Sequence, residues 1–187
     1  MYKISFAFLL LFCIQISLKA QADIDLHPKV LDREIIRING DNNKLSELAA
    51  SPEVASQIVP GKFYVVSARP AASQVQYAYV GRVKTCRSGG CSINNEYHDK
   101  ESEYFDYIIL YDSACSVRLV KIYNYQATHG QEVTAKSWLK QFIGYKGDTE
   151  LYAGKNIDAI SGATISVNAI NFDVEYRTGM LMQTIKQ

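Results

Sequence analysis

The chain has 187 residues, 48% hydrophobic and 21% charged, the balance of an ordinary folded protein with room for a leader and one domain. Its 20 basic and 19 acidic residues leave a net charge of +1, and with no local basic stripe this excludes an electrostatic footprint for nucleic acid. The 13 tyrosines suit β-strands, where an apolar ring with a polar tip fits a half-buried face.

Lys3 supplies a small positive start, and Ile4 to Leu18 is almost wholly apolar. That run of about 15 residues is short of the roughly 20 needed to span a bilayer as a helix. Ala20-Gln21-Ala22 then places small residues where a signal peptidase reads. Residues 1–22 are expected to be a cleaved signal peptide, with an uncleaved N-terminal anchor as the alternative. Cys13 lies inside the apolar run behind Phe12 and makes a poor lipoprotein cysteine.

Residues 23 to about 43 read as a polar stretch ending in the turn signal Asn39-Gly40-Asp41-Asn42-Asn43. Ser51-Pro52-Glu53 has the chemistry of a helix start, and the short helix it opens ends near Pro60-Gly61. Phe63 to Val66 follows as a strand. Val75, Tyr77, Tyr79 and Val83 share one parity, with Gln76 and Arg82 on the other, which predicts a half-buried strand. After a polar loop from Thr85 to about Ser102, Tyr104–Tyr111 and Val117–Tyr125 are predicted strands joined by Asp112-Ser113-Ala114, most simply as a hairpin.

The period then changes. Ala135, Trp138, Leu139 and Phe142 recur at helical spacing and predict an amphipathic helix from about Gln131 to Phe142, punctuated by Gly144 and Gly147. A second helix is predicted from about Thr164 to Met182, with Ile165, Ala169, Phe172 and Tyr176 along its apolar stripe. The expected fold class is α+β: a twisted, largely antiparallel sheet packed with helices, in a single domain after the signal peptide. Residues 23–74 would form an N-terminal extension and residues 75–187 the functional domain.

Between the two C-terminal helices lies Asp158-Ala159-Ile160-Ser161-Gly162-Ala163-Thr164, a loop turning into a helix N-terminus. Gly162 permits a tight bend, and Ala163 keeps the surface bare. Thr164 presents a hydroxyl where unpaired backbone N–H groups and the positive end of the helix dipole converge, a place that favours phosphate without a basic side chain. The plainer reading is that Ser161 or Thr164 is only an N-cap, a contribution of about 1 kcal/mol.

On these residues the chain resembles the FMN-binding domain family, which includes the C subunit of the sodium-translocating NADH:quinone reductase and the G subunit of the Rnf complex. The family pattern is an Asp, two variable residues, Ser or Thr, then Gly-Ala-Thr, and Asp158, Ser161, Gly162, Ala163 and Thr164 match each fixed position. Ile165-Ser166 is a looser match to the residues that follow. Upstream, Thr128 and Gly130 fit the family's Glu-Thr-Pro-Gly-like turn, while Ala127 and His129 depart from it. The resemblance covers roughly Val75 to the C-terminus.

The resemblance implies that a flavin transferase joins FMN from FAD to Thr164 through a phosphoester, with Asp158 helping the transferase or its Mg²⁺ recognise the loop. It further implies a redox carrier in which the cofactor does the chemistry, no residue is catalytic in the ordinary sense, and a membrane-bound protein donates or accepts the electrons. His129 would be placed to hydrogen-bond the flavin ring and shift its potential, or simply to complete its turn.

Three cysteines remain outside the leader. Cys86-Arg-Ser-Gly-Gly-Cys91 closes a short loop and, in an oxidising compartment, is expected to be a disulfide, either structural or redox-active. Cys115 would be an odd thiol packed at the start of its strand. Cys86, Cys91, Cys115 and His98 lack the spacing of a metal site. His27 precedes a proline and reads as surface; Trp138 reads as core before flavin stack; the pairs Tyr77/Tyr79 and Tyr123/Tyr125 fit a flavin site or sheet packing equally. The leading expectation is an exported electron-transfer flavoprotein, periplasmic or otherwise extracytoplasmic, with an FMN-dependent reductase of a small acceptor or a secreted binding module lacking flavin as alternatives.

Overall fold

The computed structural model describes residues 23–49, 61–68, 74–87 and 102–186. Its frame is a five-stranded sheet in the order β1-β2-β3-β4-β5, formed by Asn43–Glu47, Gly61–Ala68, Tyr77–Arg87, Ser102–Tyr111 and Val117–Tyr125. Every neighbouring pair is antiparallel, so each strand follows its predecessor in the sheet as it does in the chain. With three α-helices among the described residues, Lys29–Asn39 (α1), Lys136–Leu139 (α2) and Thr164–Ile185 (α3), this is the expected α+β class. β4 and β5 form the predicted hairpin, and Cys115 stands in its turn at φ 59°, buried and unbridged.

α1 was not legible as a helix, and it changes the sheet. Pro28 precedes it, Asp32 stands in its first turn and Arg37 in its last, and Gly40 at φ 79° closes it by donating its N–H to Ile36 O at 2.8 Å. Asn39 fixes the helix to the start of β3 through two side-chain bonds, one to Val75 N and one to Val75 O, each 2.9 Å. Val30, Leu31 and Ile35 thereby cover Tyr64, Val66, Ala78, Val80, Ile108 and Leu110 on one face of the sheet. α3 covers the other face, packing Val167, Ile170, Val174 and Leu181 onto Phe63, Tyr79, Phe105, Tyr107 and Ile109. Each such fully buried side chain contributes about 1.5–3 kcal/mol.

The half-buried strand expected at Val75–Val83 is therefore buried on both sides. Arg82, expected on its polar face, is also buried: its Nε and Nη2 donate to Asp106 Oδ1 and Oδ2 at 2.6 and 3.0 Å, and its guanidinium lies 3.7 Å from the centre of the Tyr104 ring. A fork-to-fork pair of this kind lets arginine enter an interior that an unpaired charge could not.

Two helix expectations need correction. The segment Gln131–Phe142 is a 3-10 turn (Gln131–Thr134), the single α-turn α2 and a second 3-10 turn (Lys140–Phe142). Ala135 breaks it with extended backbone (φ −62°, ψ 122°) and is exposed, so only Trp138, Leu139 and Phe142 of the predicted stripe are buried. In α3 the predicted stripe lies at the margin of the buried face: Ile165 is 40% and Phe172 61% exposed, while Ala169 and Tyr176 are partly buried against the core. The inward face carries Ser166, Asn171, Asp173, Arg177 and Thr178 among its apolar residues, and this buried polarity hid the true stripe from a hydrophobic pattern.

The helix expected at 51–60, the signal peptide at 1–22, the Cys86–Cys91 pairing and His98 lie outside the described residues and side chains.

Candidate functional site

The loop before α3 is held by its backbone and leaves its motif side chains outward. Asp158 is fixed from α2 and the 3-10 turn after it: Trp138 Nε1 donates to Asp158 O at 2.9 Å, and Asp158 N donates to Gln141 Oε1 at 2.8 Å. Trp138 is thus core, edge-to-face with Phe142, and its indole N–H orders the loop. Ala163 N donates to Ile160 O at 3.1 Å across a tight turn whose third residue is Gly162 at φ 79°. A side chain there would be strained by its backbone alone, since the space beside the Gly162 Cα is open.

Ala163 does not face the surface as expected. It is 2% exposed and packs into the core, anchoring the turn while Asp158, Ser161, Gly162 and Thr164 stay exposed.

Ala163 is also the residue that precedes the helix, and no side chain caps it. Ser161 and Thr164 are therefore not N-caps. Thr164 is the first helical residue, and the first intrahelical bond is Val167 N to Ala163 O at 2.9 Å. The N–H groups of Thr164, Ile165 and Ser166 precede that bond, so they have no intrahelical acceptor, and the first turn holds no acid. A donor set of this kind, on a 22-residue helix, is chemically matched to a phosphate oxygen.

The upstream turn meets this helix start. Gly130 adopts φ 85° and backs onto α3 so closely that a Cβ would lie 2.8 Å from Ser166 Oγ. Tyr125, at the end of β5, ties the two segments: its hydroxyl donates to His129 O at 2.6 Å and lies 3.1 Å from Ser166 Oγ. Burial pushes the Tyr125 hydroxyl pKa up, helped by the charges of Glu103 and Glu132 and opposed by the Ser166 bond, so it stays a neutral donor. Thr128 is exposed and donates its hydroxyl to the Glu103 carboxylate at the head of β4. The His129 ring is exposed, and only its carbonyl is engaged by Tyr125.

The structure thus brings Thr128, His129 and Gly130 to the same end of the sheet as Thr164. Tyr125, Ser166, Gln141 and Glu103 are the supporting residues that motif reading left out. Tyr125 and Ser166 carried a faint signal, one as a strand-end tyrosine and the other as the looser motif neighbour. Glu103 and Gln141 carried none, because each acts on a residue 25 or 17 positions away. Tyr79, by contrast, belongs to sheet packing: it is 1% exposed, with its ring across the paired Gly61 and Gly81, where any Cβ would collide with it.

The domain thus presents an uncapped helix N-terminus and an exposed threonine at one end of its sheet, chemistry matched to a phosphate group. Residues 104–176 match the family model described as FMN-binding domain. That match supports FMN as the cofactor. No curated protein matches the chain.

Proposed function

We propose that this protein is an extracytoplasmic electron carrier holding FMN covalently through a phosphoester to Thr164. The observation that carries the reading is the exposed Thr164 hydroxyl beside open backbone N–H groups, within the segment that matches the FMN-binding domain model. FMN supplies the redox chemistry when bound. In maturation Thr164 Oγ would accept the FMN phosphoryl group of FAD as the pyrophosphate bond breaks, with AMP and the hydroxyl proton leaving. The phosphodiester keeps one negative charge, which the helix end stabilises.

The chain's own residues position this charge. Trp138 and Gln141 hold the Asp158 backbone and leave its side chain exposed, where a flavin transferase would be able to recognise it. Tyr125 holds the 128–130 turn against Ser166, fixing the wall beside the attachment point. The apolar leader at residues 1–22 supports export, and a membrane-bound donor or acceptor is the partner this reading calls for.

Protein co-expressed with a flavin transferase in the exporting compartment should be yellow and heavier by one FMN less water, and Thr164→Ala should be colourless at the unmodified mass. The reduced protein should then pass electrons to a partner protein faster than to small acceptors. A faster rate with a small acceptor would favour a reductase, and colour that survives denaturation of Thr164→Ala would remove Thr164 from the account.

A further inference from the structure

Away from the flavin loop, a cleft of about 360 Å³ opens beside the first half of β5, between the end of α1 and the far side of α2. Its lining combines two kinds of surface. Arg118, Lys136 and Lys140 are exposed cations at its rim, and Leu119 and Ile143 give it an apolar wall, Ile143 being 48% exposed. No carboxylate is among the described residues that line it. Arg37 also reaches the cleft but is already paired with Glu34 at 2.6 Å, so it adds background charge rather than an available donor fork.

Lys136 and Lys140 lie four residues apart on one side of the α2 and 3-10 segment, with Arg118 on the neighbouring strand. Like charges at that spacing repel, and an anion between them relieves the repulsion. The exposed isoleucine beside them gains by losing water to an apolar group. Neither feature alone asks for the other; their adjacency specifies a molecule with both. On β5 the cleft sits at Leu119, six residues or about 20 Å along the strand from Tyr125, and no residue of the 158–164 loop lines it.

We propose that this cleft is a second ligand site taking an amphiphilic anion, with a phosphate or carboxylate held by Arg118, Lys136 and Lys140 and an attached apolar body lying on Leu119 and Ile143. Such a ligand is either a free small molecule or the headgroup region of an anionic lipid. α2 links the site to the flavin loop, since Leu139, Lys136 and Lys140 line the cleft while Trp138 and Gln141 of the same stretch hold Asp158. The proposal does not depend on flavin attachment.

The test is calorimetric titration of the exported full chain, with and without flavin, using octyl phosphate below its micelle concentration. Octyl glucoside and inorganic phosphate supply the tail and the charge separately. Octyl phosphate should bind, and each half-probe should bind at least about tenfold more weakly. The double variant Lys136→Gln/Lys140→Gln should weaken octyl phosphate by about tenfold or more. Both side chains are exposed, so the variant's melting temperature should be unchanged. Ile143→Asp should abolish binding independently.

Vesicles of equimolar phosphatidylcholine and phosphatidylglycerol separate the two sources. Retention of the parent but not of the double variant identifies a lipid headgroup, and octyl phosphate binding without vesicle retention identifies a free amphiphile. The proposal is overturned if the parent fails to bind octyl phosphate, if octyl glucoside binds equally well, or if the double variant binds as the parent does. Vesicle retention without octyl phosphate binding also overturns it, because a diffuse surface and not a cleft would then be responsible.

Discussion

The first turn of α3 and the stretch two turns further on treat polar groups in opposite ways. At the start, Thr164 and the N–H groups behind it face outward with no capping side chain. Further along, Asp173 and Arg177 are buried and bonded to each other at 2.8 Å, the Tyr107 hydroxyl donates to Asp173, and the Arg177 guanidinium lies 5.0 Å from the centre of the Tyr79 ring. Burial raises the Asp173 pKa against the pull of Arg177 and Tyr107, the mark of a carboxylate kept inside only by its partners. One region leaves hydrogen-bonding capacity open for a ligand; the other uses it to set the helix on the sheet. On the proposed function, ligand loading and fold stability would be carried by different residues of one helix, and substitutions should separate them.

Arg177→Ala should give the largest effect. It leaves Asp173 buried without its cation, and the loss should be about 3–5 kcal/mol by urea unfolding, with flavin mass intact in the molecules that still fold. A loss under about 1 kcal/mol, the range of a surface pair, would dissolve the contrast between the two regions.

Gly130→Ala tests the contact that joins the upstream turn to α3. Positive φ and a Cβ placed 2.8 Å from Ser166 Oγ should together cost about 1–3 kcal/mol. Adding Ser166→Ala should restore part of it by removing the hydroxyl that collides. No recovery would mean that the turn's conformation, and not its contact with the helix, sets the cost.

A smaller effect concerns the opposite face of the sheet. Burial alone would raise the Glu34 pKa, but hydrogen bonds and charges from Lys121 and Arg37 outweigh it and hold the carboxyl below its ordinary 4.5. A carboxyl lowered in the folded state contributes stability above its unfolded value, and that contribution is lost as pH falls through the folded value. Melting temperature should therefore drop more steeply below pH 4.5 in the parent than in Glu34→Gln. Parallel curves would show that the pair has no net linkage to folding.

Much of the fold was legible because its strands are local patterns. β3, β4, β5 and the β4–β5 hairpin follow from alternation and turn chemistry. The helices were harder for specific reasons. α1 lies in a polar stretch whose short run of Val30, Leu31 and Ile35 is masked by charged neighbours. α3 was placed correctly, but its buried face was shifted, since Asp173 and Arg177 enter the core as a pair while Ile165 and Phe172 of the predicted stripe stay exposed. The loop Asp158–Ala163 and the helix start at Thr164 were legible because a helix N-terminus is written in consecutive residues. Tyr125, Gln141 and Glu103 were not, because their partners are set by the tertiary path of the chain.

Peptide mapping of exported protein made with an active flavin transferase tests the central claim most directly. The peptide holding Ser161-Gly162-Ala163-Thr164 should carry FMN on the Thr164 oxygen, while Thr164→Ala loses the flavin with stability unchanged to within about 0.5 kcal/mol. Recovery of that peptide unmodified from such material, or of FMN on another residue, would contradict the account.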